Sequence, residues 1–361
     1  MKVASNILIC YQARGSAGFL DLLRFLKLIY ISTLKPLNIY ILSRKSVSLN
    51  LLNLENRKSY INVVNISSIR ALTLKTNITI FIMPNFLDSL ILFFRKAFIR
   101  DFNSQLVVIH NPPLQLSSKN YIINIVGITL QIIFYLFSDL NIYLSEFVSR
   151  KWFNYKKSIV QVLPELVSTQ SFKSNDNLDL LTKPKIIKLL IIGRWLPYKS
   201  LDLLVGALEK IENSDLSKEI IISIQGSSYP EQQILSLKNS VLNKKIEIEY
   251  NDYYIPDSDV DKILLSSDFC LFLYLKASQS GFLQRCKELS VPVICTKVGG
   301  LEEYLKNGAI GYAVKPDFDS IKDIILDISM NNNLTYQYTG NIAQSIPLIE
   351  YLKAHKLRDL I

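Results

Sequence analysis

The sequence predicts an α/β protein made of two doubly wound domains, each a parallel sheet covered by helices on both faces. Short apolar runs rich in β-branched residues recur along the chain, as expected of strands buried on both faces. Helix-patterned stretches separate several of these runs, and the alternation restarts after a polar stretch near the middle. The length of 361 residues suits two cores better than one.

The first half contains seven strand-like runs. Helical patterns cover Phe19–Tyr30, Phe86–Phe98 and Tyr121–Phe137. The predicted strands are Val3–Tyr11, Asn38–Ser43, Ile61–Ile66, Asn77–Met83, Gln105–His110, Asn141–Ser145 and Ser158–Leu163.

The second half repeats the same rhythm after Val167–Pro184, a polar stretch with little periodicity that reads as an interdomain linker. Alternation of strands and helices of this kind favours a second parallel sheet. The predicted strands are Ile186–Ile192, Ile220–Gln225, Ile246–Tyr250, Phe269–Leu275, Pro292–Thr296 and Gly311–Val314.

The composition is that of a globular protein, with 49% apolar and 20% charged residues. Four cysteines lack any CxxC spacing, which favours buried reduced thiols and a reducing compartment. Two histidines are too few for a histidine-based metal site. The amino-terminal apolar stretch is too short for a signal peptide, and polar residues interrupt the longest apolar span, Tyr121–Leu144. We therefore predict a cytoplasmic protein.

Positive charge is concentrated in the first half. Residues 1–165 carry 19 Lys and Arg against 7 Asp and Glu, whereas the remaining residues carry 22 against 24. This imbalance indicates an anionic surface as partner. The segment NFLDSLILFFRKAFIRDF fits a basic amphipathic helix on an anionic bilayer, and equally a core-facing helix with solvated charges. No nucleic-acid-binding module is recognisable, so nucleic acid is not expected as a partner.

The segment KLLIIGRWLPYKSLDLLVGAL carries the first chemical feature. A buried strand is predicted to end at Gly193, followed by Arg194, a short loop, Lys199, and a helix capped by Ser200. Two cations then lie at the carboxyl end of a parallel strand, where open α/β sheets bind ligands. The rigid guanidinium fork and the mobile ammonium together suit a diphosphate. The same spacing also fits a solvated Arg and Lys on an ordinary loop.

The segment SSDFCLFLYLKASQSGFLQRCKELSVPVICTKVGG carries the second. A strand ends near Leu275, and a helix starts at Ser280 and Gly281. Glycine there lets a ligand approach the backbone, and the free N–H groups form an anion site. The next strand leads to Gly299 and Gly300, at the same sheet edge. Ordinary strand–helix punctuation explains these residues equally well.

These two segments resemble family 4 of the GT-B-fold glycosyltransferases. IGRWLPYKSLDLL is similar to the "GR…YKG" segment of that family, and YYIPDSDVDKILLSSDFCLFLYLKASQSGF…VPVICTKVGGLEEYLKNGAIGYAVKP to the donor-binding segment of its bacterial ASQSG variant. The likeness covers about residues 186–316, in the correct order. It implies a GT-B fold with a cleft between an acceptor-binding domain, 1–165, and a donor-binding domain, 184–340. Residues 166–183 form the linker, and 341–361 fold back onto the first domain.

The resemblance also implies roles for individual residues. Arg194 and Lys199 match the pair that holds the donor diphosphate and stabilises it as it leaves. His110 matches a position facing the donor sugar and completes the implied catalytic set. Gly15 and Gly18 lie where the family has a glycine-rich loop near the acceptor, although the usual paired glycine is absent. The implied donor-binding residues are Gly193, Ser280, Gly281, Phe282, Gly300 and Glu303.

One departure from the family pattern concerns two glutamates separated by seven residues. Their positions hold Ala277 and Arg285 here. The second glutamate contacts the nucleotide ribose in the family, and Arg285 cannot accept that hydrogen bond. Glu288, one turn further on, is a candidate substitute. The ASQSG variant often lacks both glutamates, so their loss reads as a subfamily character.

The resemblance therefore implies a retaining glycosyltransferase that needs no metal and no cofactor beyond a UDP- or GDP-linked sugar as co-substrate. Negative charge builds on the departing diphosphate, and Arg194, Lys199 and the helix start at Ser280 are placed to stabilise it. The expected acceptor is a saccharide or lipid-linked saccharide of bacterial surface polysaccharide synthesis, at the inner face of the cell membrane. Two alternatives stay open: a non-catalytic GT-B scaffold or partner subunit, and a peripheral membrane adaptor.

Overall fold

The computed structural model divides the chain into two compact units, Met1–Leu166 with Gln344–Ile361, and Val167–Ala343. Structure is described below for residues 5–11, 22–29, 37–43, 61–67, 70–71, 74–76, 78–82, 104–109, 125, 129, 132, 138–151, 158–160, 186–256, 258–330 and 338–339.

The first unit contains a sheet of seven parallel strands in the order β3-β2-β1-β4-β5-β6-β7. Residues 22–29 are helical, and a short helix, α1, covers Glu146–Lys151. The central strands are apolar and buried on both faces, as predicted from their composition. The strands are β1 Ser5–Tyr11, β2 Leu37–Ser43, β3 Ile61–Asn65, β4 Ile78–Ile82, β5 Ser104–Ile109, β6 Leu140–Tyr143 and β7 Ser158–Val160.

The second unit contains a sheet in the order β10-β9-β8-β11-β12-β13-β14, parallel except for β14. Its strands are β8 Ile186–Ile192, β9 Glu219–Gly226, β10 Ile246–Asp252, β11 Phe269–Phe272, β12 Val293–Thr296, β13 Ile310–Val314 and β14 Tyr338–Thr339. Its helices are α2 Leu201–Glu209, α3 Glu231–Ser240, α4 Val260–Leu265, α5 Gly281–Leu289, α6 Leu301–Lys306 and α7 Phe318–Met330.

Two apolar clusters cover the two faces of this second sheet. On β8, Leu189 and Ile191 belong to the cluster that contains α2, α3 and α7. Leu190 and Ile192 alternate with them and join the cluster that contains α4, α5 and α6. The sheet is therefore covered by helices on both faces, as the alternating pattern predicted.

The order of the strands creates a switch point between β8 and β11. The chain leaves β8 towards β9 and β10 on one side, and then returns to place β11 on the other side of β8. The loops after β8 and β11 therefore lead to helices on opposite faces of the sheet. This is the position at which open α/β sheets bind ligands.

The prediction of two doubly wound units is confirmed, and most strand bounds agree within two residues. Among strands whose neighbouring residues are described on both sides, the largest difference is β11, predicted to continue to Leu275 but ending at Phe272. All four cysteines are buried, as predicted. Three predicted regions lie outside the described residues: the linker, the segment 341–361 and the basic segment around Phe86–Phe98. Of the second, only the assignment of Gln344–Ile361 to the first unit is given. No helix in the described part of the chain is long and apolar enough to cross a membrane.

Candidate functional site

The end of β8 is held closely against the end of β9. Gly193 is buried, has a φ of +99°, and donates its N–H to the carbonyl of Gln225 at 2.9 Å. A Cβ on Gly226 would lie 2.2 Å from the carbonyl oxygen of Gly193. Two residues on, the Trp195 N–H donates to the carbonyl of Ser227 at 2.9 Å. Glycine is required at position 226 because a side chain there would separate the two loops, and at position 193 because of the positive φ.

The loop after β8 also contacts the loop after β11. Lys199 and Tyr274 form an antiparallel bridge, and the Leu275 N–H donates to the carbonyl of Tyr198 at 2.8 Å. The rings of Tyr198 and Tyr274 pack edge to face, with centroids 5.4 Å apart. The two loops at the switch point are therefore joined by backbone hydrogen bonds.

The amine of the half-buried Lys199 lies between these two loops. The Lys199 Nζ is 5.7 Å from the centre of the Tyr274 ring, and 3.3 Å from where a Cβ on Gly193 would be. The Phe282 ring lies 2.6 Å from that same Cβ position. Burial lowers the pKa of Lys199 to about 8. No carboxylate among residues 186–256 and 258–330 pairs with this amine, so an anionic ligand would relieve its desolvation.

Thr296 explains why β11 ends early. Its hydroxyl accepts the N–H of Tyr274 at 3.0 Å and donates to the Tyr274 carbonyl at 2.7 Å. A side chain of β12 thereby satisfies backbone groups that a longer strand would pair in the ladder. Tyr274 is buried, and desolvation raises the pKa of its hydroxyl. The residue is held as a fixed ring against Lys199.

Helix α5 begins at the same edge of the sheet. The Ser280 hydroxyl caps it by accepting the Leu283 N–H at 3.3 Å, and the helix starts where the sequence predicts it. The Ser280 N–H donates to the Tyr304 hydroxyl at 3.2 Å. The N–H groups of Gly281 and Phe282 have no hydrogen-bond partner among the described residues. They are free donors at the start of a helix, which is the arrangement that suits an anion.

The loop after β12 completes this edge. Gly299 has a φ of +56°, and a Cβ there would lie 1.5 Å from the carbonyl oxygen of Ala277. The Gly300 N–H donates to that same carbonyl at 3.2 Å, and Gly300 is the N-cap residue of α6. Glu303 is half-buried in the first turn of α6. The backbone of the β8 loop thus contacts the β9 loop and the β11 loop, and the β11 loop contacts the β12 loop.

The structure therefore places most of the predicted donor-site residues at one sheet edge. Gly193, Lys199 and Phe282 come together directly, and Arg194 follows Gly193 with an exposed side chain. Ser200 is the N-cap residue of α2, but its side chain makes no capping hydrogen bond. The remaining predicted residues His110, Gly15 and Gly18 lie outside the described residues.

Arg285 belongs to a network of three charged side chains. Its Nε donates to Asp261 Oδ1 at 2.7 Å, and its Nη1 donates to Glu288 Oε2 at 2.5 Å. Burial lowers the pKa of Arg285, but the hydrogen bonds from both carboxylates outweigh this effect and raise it. The expectation that Glu288 substitutes for the missing glutamate is wrong, because its side chain is fully buried and paired with Arg285.

Sequence reasoning missed three residues that shape the site. Tyr198 and Tyr274 pack around Lys199, and the Tyr304 hydroxyl accepts the Ser280 N–H. The first two carry a signal, since Tyr198 directly precedes Lys199 and Tyr274 follows the end of β11 by two residues. Tyr304 carries none, because its role depends on how α6 packs against α5.

Residues 173–345 match the family model of glycosyl transferases group 1. The matched residues lie almost entirely in the second unit. The GPI3 subunit of phosphatidylinositol N-acetylglucosaminyltransferase from Saccharomyces cerevisiae is 26% identical over 171 residues. That alignment covers 46% of this chain and 36% of the yeast protein, so the chain spans about a third of the curated relatives it matches.

Solved structures show the fold of the whole chain. Sucrose-phosphate synthase from Thermosynechococcus elongatus superposes with a TM-score of 0.61 at 13% identity, covering 91% of this chain and 90% of that one. Anabaena Alr3699/HepE in complex with UDP-glucose gives 0.56 at 13% identity, covering 98% and 100%. The protein has the GT-B fold, which confirms the fold class predicted from the sequence.

Proposed function

We propose that the protein transfers a sugar from a UDP- or GDP-linked donor, with retention of anomeric configuration and without a metal ion. The observation that carries this proposal is the partly desolvated Lys199 amine beside the start of α5, which pairs with no carboxylate of residues 186–256 and 258–330. The site lies within the residues that match the model of glycosyl transferases group 1, which supports the proposal. The solved complex of Anabaena Alr3699/HepE with UDP-glucose supports a UDP-linked donor.

The chemistry follows from charge. When the glycosidic bond to a nucleoside diphosphate breaks, negative charge develops on the leaving phosphate oxygen. The Lys199 ammonium and the amides of Gly281 and Phe282 are fixed before the reaction, so they stabilise that charge without reorganising. Arg194, which is exposed, supplies a mobile second cation that closes onto the diphosphate.

The acceptor side of the proposal rests on the first unit. Its excess of Lys and Arg favours an anionic membrane surface, and the yeast relative is named for transfer to a phosphatidylinositol. We assign the protein to family 4 and to bacterial surface polysaccharide synthesis, with a saccharide or lipid-linked saccharide acceptor at the inner face of the cell membrane. His110 is the residue of the first unit proposed to face the donor sugar.

The test uses the full chain and a panel of UDP- and GDP-sugars. At least one of them should raise the melting temperature and be consumed in a membrane extract that contains acceptor, with or without EDTA. Lys199→Ala should abolish turnover, whereas Lys238→Ala, which removes an exposed cation of α3, should not. Unchanged turnover in Lys199→Ala, or the absence of any nucleotide-sugar binding, would refute the proposal.

A second candidate is a non-catalytic scaffold or partner subunit. Arg285 stands where family members carry a ribose-binding glutamate, and the yeast relative is itself named a subunit. Slow hydrolysis of the bound nucleotide sugar by the isolated chain separates the two functions. An enzyme releases free sugar at a rate that depends on Lys199, whereas a scaffold binds the donor and leaves it intact.

A further inference from the structure

The network around Arg285 joins two helices that start at the site edge of the second sheet. Asp261 lies in the first turn of α4, and Arg285 and Glu288 lie on α5. The Asp261 side chain is 39% exposed, that of Arg285 12%, and that of Glu288 fully buried. The network therefore presents one carboxylate to solvent and hides the other.

Asp261 is held in a fixed orientation. Both of its carboxylate oxygens accept hydrogen bonds from the Arg285 guanidinium, through Nε and Nη2. A carboxylate has about four acceptor positions, so about two remain for other donors. Glu288 holds the guanidinium from its buried side, which fixes the plane of Arg285 and with it that of Asp261. A pre-oriented, half-exposed carboxylate is suited to accept hydrogen bonds from a pair of hydroxyl groups.

The position of the network matches one part of a nucleotide. Arg285 follows Gly281 by four residues, so it lies on the same face of α5, about 6 Å further along the axis. The amides at Gly281 and Phe282 are the proposed phosphate site. In a nucleotide, the ribose with its two adjacent hydroxyl groups directly follows the phosphate, at a similar distance.

We propose that Asp261, oriented by Arg285, accepts hydrogen bonds from the ribose hydroxyls of the nucleotide-sugar donor. Asp261 is then a binding residue, and Arg285 acts through it as a positioning residue. This inference rests on the proposed function, because it requires the phosphate of a nucleotide at the start of α5. It also explains how a chain with an arginine at position 285 still recognises a ribonucleotide.

The test compares ribonucleotides with deoxyribonucleotides. Calorimetry measures the affinity of the full chain for UDP, 2′-deoxy-UDP, GDP and 2′-deoxy-GDP. Hydrogen bonds to a charged group lead us to expect a preference of about tenfold to hundredfold for the ribonucleotide in the wild type. In Asp261→Asn that preference should fall to near unity through weaker ribonucleotide binding, with deoxyribonucleotide binding unchanged.

Two further variants separate recognition from stability. Arg285→Lys keeps a positive charge beside Glu288 but loses the two-point grip on Asp261, so it should reduce the preference while the fold is retained. Asp319→Asn removes an ion pair with Lys210 on the opposite face of the sheet and should leave the preference intact. A merely structural Asp261 would change the melting temperature without changing the ratio of the two affinities.

Each result has one meaning. If the wild type binds UDP or GDP and Asp261→Asn keeps its preference for the ribonucleotide, the inference is wrong and the proposed function stands. If the wild type binds neither nucleotide, the proposed function fails and this inference fails with it. Loss of the preference in Asp261→Asn, with normal folding, supports both.

Discussion

The sharpest test of the site is Lys199→Met, because it should stabilise the protein and disable it. A fall in the pKa of Lys199 from 10.5 to about 8 corresponds to about 3 kcal/mol spent on keeping the desolvated amine charged. Methionine has a similar length and no charge, so it removes this cost. It also loses the contact of the amine with the Tyr274 ring, worth about 1–2 kcal/mol for a partly desolvated cation. We therefore expect a gain of about 1–2 kcal/mol in the free energy of unfolding at pH 7.

The gain should depend on pH in a defined direction. The unfolded lysine keeps its proton up to about pH 10.5, whereas the folded one releases it near pH 8. The stability of the wild type therefore rises between these values, because the unfolded state binds more protons. The advantage of Lys199→Met should shrink across this window and vanish above it. Nucleotide binding should be lost in Lys199→Met, so that UDP or GDP no longer raises its melting temperature.

Tryptophan fluorescence can follow the unfolding of the second unit separately from that of the first. The chain has two tryptophans, Trp152 in the first unit and Trp195 beside the site, so a Trp152→Phe background isolates the second unit. Urea unfolding at pH 7 and near the upper end of the window then compares Lys199→Met with its parent in that background. A variant less stable than its parent at pH 7, or one that still responds to the nucleotide, would refute the reasoning.

Three further substitutions or conditions test the surrounding structure. Gly299→Ala places a Cβ against the backbone of Ala277 at a positive φ, so urea unfolding should show a loss of more than about 2 kcal/mol. Arg285→Met leaves Glu288 buried without its guanidinium and should cost about 3–5 kcal/mol, which Glu288→Gln in the same chain should partly restore. The kcat/KM for the donor should fall above about pH 8 as Lys199 loses its proton, and a fall at the same pH in Lys199→Arg would contradict this assignment.

The fold could be predicted from the sequence because strands that are buried on both faces are recognisable as short apolar runs. β8 is predicted at Ile186–Ile192 and forms there, because its apolar residues are buried in the clusters on both faces of the sheet. β11 was predicted three residues too long. Leu273, Tyr274 and Leu275 are apolar and continue the strand pattern. The backbone N–H and carbonyl of Tyr274, however, form hydrogen bonds with the Thr296 hydroxyl instead of with a neighbouring strand.

The site was predictable only where one loop supplies the signal. Gly193 and Lys199 share a loop, and Ser280 caps the helix that its own sequence starts, so local pattern was sufficient. The pairing of the Glu288 carboxylate with Arg285 could not be predicted in this way. Its carboxylate is neutralised by Arg285, which in turn is held by Asp261, 24 residues away in the chain. No local pattern indicates that pairing.

The glycine contacts at the sheet edge set a rule for engineering the donor site. Gly226 meets the carbonyl of Gly193, and Gly299 meets the carbonyl of Ala277, each at a distance that leaves no room for a side chain. A loop transplanted singly from a relative that has a side chain in place of Gly226 or Gly299 will collide with its unchanged neighbour. Loops of this protein should therefore be exchanged as pairs, the β8 loop with the β9 loop and the β11 loop with the β12 loop.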